Sequence, residues 1–190
     1  AIQVTAYDGD GDSVAYSNNL TVHTSSSASS FVRAEGSHLV VGETGQVVRL
    51  RGVGFGNTCY QLENEADPMA IVRADHDATD FARVRAMGMN AVRFYLSFWM
   101  FVDKNGDPYT YRQDAWDWFD GNIQWAKNNG VYLIPNVHVP PGGYQQDANN
   151  DKIPDGLSLW SEPEKQAQLK ALWEAIAQRY RNETTIAGYD

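Results

Sequence analysis

Cysteine is nearly absent: Cys59 stands alone among 190 residues, which excludes an internal disulfide and any cysteine-based zinc centre. A single thiol of this kind is expected to be buried and unreactive, and it leaves the redox compartment open. Basic residues are scarce as well. The chain has 15 Lys and Arg against 24 Asp and Glu, a formal net charge of -9, with no basic run. Phosphate backbones and anionic membrane surfaces are therefore repelled, and nucleic acid is excluded as a partner. No apolar run approaches the roughly 20 residues that a spanning helix needs. The N-terminus lacks the basic-then-apolar pattern of a signal peptide, so a soluble chain without a membrane partner is expected. What is abundant is aromatic: 6 Trp and 10 Tyr in a chain that is 43% hydrophobic. That composition suits a sizeable core, and it equally suits stacking on flat ligands such as sugar rings.

Three segments emerge along the chain. In residues 1–24, Ile2, Val4 and Ala6 alternate, and Leu20 and Val22 resume the alternation after a turn rich in Asp and Gly. Two strands cannot stand alone in water. They resemble the last hairpin of an immunoglobulin-like or fibronectin-like β-sandwich module, so the chain is expected to begin inside a module. Residues 25–30, Ser25-Ser26-Ser27-Ala28-Ser29-Ser30, read as a flexible linker. Residues 31–190 form the third segment.

This segment opens with a predicted hairpin, Ser37 to Val41 and Gln46 to Leu50. The hydrophobic period then switches repeatedly between that of a strand and that of a helix. Strands are predicted over Arg49 to Phe55, Asn90 to Leu96 and Val131 to Val139, with a fourth starting at Ile186. The intervening helices are Thr79 to Met87, Gln113 to Asn129, and a third introduced by a capping box, Ser161-Glu162-Pro163-Glu164. Strand-helix alternation implies parallel strands with helical crossovers, hence α/β. No glycine-rich phosphate loop follows the first strand, which disfavours an open nucleotide-binding sheet. The expected architecture is the first half of a (β/α)8 TIM barrel with an N-terminal β-hairpin, since a whole barrel takes about 250 residues.

Candidate site residues follow from strand alternation. Ala91, Arg93 and Tyr95 share one face of the second strand, while Val92, Phe94 and Leu96 share the other. With the apolar set under the helices, Arg93 points into the barrel, where it needs a carboxylate partner. Asn136 and His138 share a face of the third strand just before a Pro/Gly loop. Strand ends and the loops after them build the active sites of such barrels. A core histidine satisfied by its neighbours would explain His138 alone, but it does not predict convergence with Arg93.

Several phrases resemble glycoside hydrolase family 5, the cellulase family of the (β/α)8 clan. They are Val48-Arg49-Leu50-Arg51-Gly52-Val53-Gly54-Phe55, Met87-Gly88-Met89-Asn90-Ala91-Val92-Arg93-Phe94, Ile134-Pro135-Asn136-Val137-His138 running on to Tyr144-Gln145, and Arg179-Tyr180-Arg181-Asn182-Glu183 running on to Asp190. The resemblance covers about Phe31 to the end. It implies a retaining hydrolase of β-linked polysaccharide, β-1,4-glucan above all, secreted although no signal peptide is in the chain. In that family Arg93 would orient the nucleophilic Glu and His138 would bind near the scissile bond. Asn136 departs from the Asp often found there, and Pro135 is expected to interrupt the strand's ladder. Tyr144, Gln145, Trp99 and Trp160 would stack on or bind sugar. Both catalytic carboxyl groups would lie beyond Asp190, so the chain alone is expected to be inactive. An uncovered sheet edge and an apolar barrel interior would then call for the missing C-terminal half-barrel or for self-association.

No cofactor is implied for catalysis. A structural calcium is a separate expectation: Asp147, Asn149, Asp151, the Ile153 carbonyl and Asp155 occupy the first, third, fifth, seventh and ninth positions of a calcium loop, although a solvated Asx-type turn has the same composition. Two non-enzymatic alternatives stand beside the hydrolase: a carbohydrate-binding or scaffold domain lacking the acids, and a half-barrel that oligomerises around a site of its own.

Overall fold

The computed structural model describes residues 6–7, 13–14, 31–43, 45–60, 62, 65–142 and 158–190. β1 (Ala6–Tyr7) and β2 (Ser13–Val14) pair antiparallel. The remainder of the expected sandwich remnant, the serine linker and the calcium loop lie outside the described residues.

β3 (Arg33–Glu35), β4 (His38–Val41) and β5 (Gln46–Val48) form an antiparallel sheet in that order. The predicted hairpin thus gains a strand, because Gly36 at φ +58° lets the chain reverse within two residues. β6 (Gly52–Phe55) starts later than expected. The Arg51 carbonyl accepts from both Asn90 and Ala91, at 2.8 and 3.1 Å, so the parallel ladder begins only there.

The chain then runs through α1 (Pro68–Val72), α2 (Ala78–Ala86), β7 (Ala91–Ser97), α3 (Phe98–Phe101), α4 (Gln113–Asn128), β8 (Tyr132–Val139), α5 (Ser158–Ser161) and α6 (Pro163–Arg179). α2 starts where the Asp77 carboxylate accepts the Thr79 amide at 2.7 Å and Asp80 reaches back to the Asp77 amide at 3.0 Å. It stops before Gly88, whose φ of +78° suits glycine best. α4 buries Ala115, Trp118, Phe119, Ile123 and Ala126, as its period predicts, together with Trp116 and Asn122. α6 corrects a second expectation. Its cap is Glu162, which makes no side-chain capping bond, and Ser161 ends α5 instead of opening a capping box. Gln168, Leu172 and Ile176 are buried on α6 and Tyr180 just after it, whereas Leu169 and Trp173 are only partly so.

β6, β7 and β8 pair parallel in that order. A parallel bridge from Leu133 to Ile186 brings up the next strand position, and the Asp190 amide donates to the Pro135 carbonyl at 3.0 Å. Pro135 therefore costs one donor but does not interrupt β8. The architecture is α/β, with the strand-helix order of part of a (β/α)8 barrel.

The core lies between sheet and helices. Val92, Phe94 and Leu96 are fully buried on one face of β7. Phe94 stacks on Phe119 at 5.7 Å and also meets Trp118 and Phe55. The opposite face mixes Arg93 and Asn136 with Ala91, Tyr95 and Ile134. Among the described residues the exposed large hydrophobics are Leu39, Val47, Met87, Tyr109 and Trp160. None of them lies on β6, β7 or β8. No described helix is long and apolar enough to cross a membrane.

Candidate functional site

Three strand ends converge. Alternation on β7 turns Arg93 and Tyr95 away from the core, and both are half-buried. On β8, Asn136 and His138 face the same way, and His138 Nδ1 lies 2.9 Å from Asn136 Oδ1. A register shift sharpens the placement: Leu96 pairs with Val137 but Ser97 pairs with Val139, so His138 is the extra residue of a bulge. Bulges re-aim side chains at strand ends.

Arg93 finds the carboxylate that its position demanded. Its Nε donates to Asp190, and a second guanidinium nitrogen donates to the Tyr95 hydroxyl at 2.8 Å. The Tyr95 ring in turn stacks on the His138 imidazole, centroids 4.2 Å apart and 16° between planes. From the loop after β6, Tyr60 closes the cluster with its hydroxyl 2.9 Å from His138 Nε2. Asn136 Nδ2 donates to the Asp190 main-chain oxygen at 3.1 Å. Burial, and next the Arg93 charge, hold the His138 pKa below its ordinary value, with Asp190 opposing. The imidazole is neutral near pH 7. The Asp190 hydrogen bond raises the Arg93 pKa further.

The loop carrying Tyr60 is conformationally unusual. Asn57 and Thr58 have φ of +52° and +42°, the left-handed region that a β-branched residue rarely adopts. Asn57 is held there by donating from Nδ2 to the Tyr95 carbonyl at 2.7 Å, tying the loop to the end of β7. Strain of this kind concentrates at functional sites.

Arg93, Asn136 and His138 are thus brought together, as their spacing predicted. Trp99 is not seen with them: it lines a cavity of about 550 Å3 with Leu62, Glu65, Pro68, Asp103 and Arg112. Trp160 is 77% exposed on α5. Tyr144, Gln145 and the calcium positions Asp147, Asn149, Asp151, Ile153 and Asp155 lie outside the described residues. Among the described residues no cluster of three or more His, Cys, Asp or Glu is placed to hold a metal ion. Asp103 pairs with Arg112 at 3.2 Å, and Asp107 accepts from the Tyr109 amide and the Thr110 hydroxyl. Cys59 is fully buried, and burial pushes its thiol up to about 11.

The residues missed from sequence are Tyr95, Tyr60 and Asn57. Tyr95 had a signal, two positions from Arg93 on the same face. Tyr60 and Asn57 meet β8 and β7 across 78 and 38 residues, and no local pattern announces either contact. Chemically, the cluster offers a fixed cation, an aromatic pair and several hydroxyl and amide groups at one strand-end surface. Such a surface fits a neutral, hydroxyl-rich ligand.

A family model described as cellulase (glycosyl hydrolase family 5) matches residues 41–190. The chain is similar to a β-xylosidase of Phanerodontia chrysosporium, 29% identical over 58% of this chain and 23% of that one. It is also similar to a glucan 1,3-beta-glucosidase of Candida oleophila, 30% identical over 53% of this chain and 23% of that one. The match therefore spans about a quarter of each relative. Among solved structures, an endogalactoceramidase superposes with a TM-score of 0.63 and 20% identity, over 84% of this chain and 43% of the other.

Proposed function

Since the chain belongs to glycosyl hydrolase family 5, we propose that it supplies the Arg93, Asn136 and His138 side of the active site of a hydrolase acting on β-linked glucan with retention. The observation that carries this reading is the convergence of Arg93, Tyr95, Tyr60, Asn136 and His138 at the strand ends, within one hydrogen-bonded and stacked cluster. The substrate class is set as β-glucan without choosing one linkage, because the named relatives include a glucan 1,3-beta-glucosidase. Arg93 orients a carboxylate, and His138 and Tyr60 bind hydroxyl groups of the sugar. A polymeric substrate places the work outside the cell.

Retention requires two carboxyl groups about 5–5.5 Å apart, one acid/base and one nucleophile. Arg93, Asn136 and His138 supply neither. The carboxylate in the described cluster, Asp190, is tied to Arg93, so no pair of free carboxyl groups stands there, and the 190 residues are expected to bind β-gluco-oligosaccharides without turning them over. The test pairs reducing-sugar release from soluble β-1,3- and β-1,4-glucan, at high protein loading, with calorimetric binding of the matching oligosaccharides. Saturable binding lost in His138→Ala and Arg93→Ala, with no release, supports the proposal. Absence of binding to either series refutes the site. Release that survives repurification refutes the missing-carboxylate argument.

A further inference from the structure

The amide of Asn136 has only one orientation that satisfies its surroundings, and that orientation carries a consequence for His138. Asn136 Nδ2 donates to the Asp190 main-chain oxygen at 3.1 Å, so Oδ1 is the atom facing His138 Nδ1 at 2.9 Å. An amide oxygen only accepts. The proton must therefore sit on Nδ1 of His138. Its Nε2 then bears a lone pair, which accepts the Tyr60 hydroxyl at 2.9 Å.

We propose that Asn136 is a positioning residue that locks His138 as the neutral Nδ1–H tautomer, so that Nε2 meets an incoming hydroxyl-bearing ligand as an acceptor and never as a donor. In the free chain the Tyr60 hydroxyl occupies that acceptor. The ligand class rests on the sugar-site reading above; the tautomer does not. An Asp at position 136 would act differently, because its negative charge would favour the imidazolium and make Nε2 a donor.

The surroundings reinforce the neutral form. Among the described residues, Arg93 and Asp190 are the charged groups that act on the ring, one from β7 and one from the segment after Ile186, and the two are paired with each other. Tyr95 covers one face of the ring, and Tyr60 approaches edge-on at 5.3 Å from the loop after β6. Asn136 is the neighbour on its own strand. The molecule also contains a contrasting histidine. His76 Nε2 faces Asn122 Oδ1 at 2.5 Å, and the Asn122 amide donates to the Trp118 carbonyl at 2.8 Å. The same reasoning puts the His76 proton on Nε2.

Long-range 1H–15N spectra of the full chain labelled at imidazole nitrogen test this directly. Above pH 7, His138 should show a protonated Nδ1 and an unprotonated Nε2, and His76 the reverse pattern in the same spectrum. Asn136→Asp should raise the His138 pKa by about 1 or more. Tyr60→Phe should leave the tautomer unchanged, and the His76 signals report that each variant is folded. A protonated Nε2 on neutral His138, a tautomer that flips in Tyr60→Phe, or a folded Asn136→Asp variant whose His138 pKa does not rise would each overturn the proposal. Adding β-gluco-oligosaccharide to the same sample separates the two readings. Shifts at His138 support the sugar site; their absence sinks that site and leaves the tautomer assignment to be decided by the free-chain spectrum.

Discussion

Gly52 and Gly54 lie two residues apart on the same face of β6, yet the structure assigns them opposite tolerances. A Cβ built on Gly52 would stand 1.8 Å from the Ala91 carbonyl oxygen, while one on Gly54 would meet the Tyr95 hydroxyl at 3.6 Å, an ordinary contact. Real Cβ contacts stay beyond 3.0 Å, so Gly52→Ala must push β6 and β7 apart by about 1.2 Å, the difference between 3.0 and 1.8. The obstacle is backbone and cannot swing away. The bonds nearest the clash are those from Asn90 and Ala91 to the Arg51 carbonyl, at 2.8 and 3.1 Å. Overpacking costs about 1–3 kcal/mol, and loosening these two bonds adds about 0.5–1.5 kcal/mol each. A total of about 2–6 kcal/mol lowers the urea midpoint by about 1–3 M for a slope of about 2 kcal/mol per molar. Gly54→Ala should leave the midpoint unchanged or raise it slightly, because alanine costs the unfolded chain entropy. Equal midpoints for the two variants, with unchanged slopes, would refute the close parallel pairing of β6 with β7.

Other consequences can be checked on the same material. Phe94→Ala, at a fully buried ring packed against Phe55, Trp118 and Phe119, should cost about 3–5 kcal/mol in urea unfolding; a loss under 1 kcal/mol would mean that this face of β7 is not core. Cys59, with its thiol held near 11, should react with a thiol reagent only as fast as the chain opens, and rapid modification under native conditions would contradict its burial. Because the folded His138 pKa lies below its unfolded value near 6.5, the unfolded state binds the proton first as pH falls. The stability His138 contributes is therefore complete above about 6.5 and is lost as pH drops through the folded pKa. Wild type should lose more stability than His138→Gln between pH 8 and pH 5, and parallel losses would refute the shift. Arg93→Met removes an ion pair whose side chains are 40% and 45% exposed, so it should cost only about 0.2–1 kcal/mol of stability while abolishing oligosaccharide binding.

Long, strongly periodic elements were legible from sequence, and for a physical reason. The burial alternation of β7 and the apolar stripe of α4 are each written into consecutive residues, and the same period of two on β7 and β8 sets the faces of Arg93, Asn136 and His138. Short elements were not legible. β3 spans three residues, and α1 and α3 span five and four, too few for a period to register. The box at Ser161 failed because a second helix, α5, ends on that very residue, and a local signature cannot report which neighbouring element claims it. The bulge at His138 and the reach of Tyr60 depend on pairing between distant segments. Tertiary geometry decides both.

The two faces of the β6-β7-β8 sheet differ in character, one packed under helices and the other carrying the polar cluster. On the helix side, Val92, Phe94, Leu96 and Leu133 are without exposure, and burial of this kind supplies about 1.5–3 kcal/mol per side chain. On the other side stand Gly52, Gly54, Ala91, Arg93, Tyr95, Ile134, Asn136 and His138, where the polar groups of Arg93, Tyr95, Asn136 and His138 are joined in one hydrogen-bonded and stacked cluster. The same polarity defines what the surface can do. Arg93 is paired with a carboxylate, and burial followed by the Arg93 charge holds the His138 pKa below its ordinary value. On the proposed reading, the proton for bond cleavage would come from a carboxylic acid, and His138 would hold a hydroxyl in place.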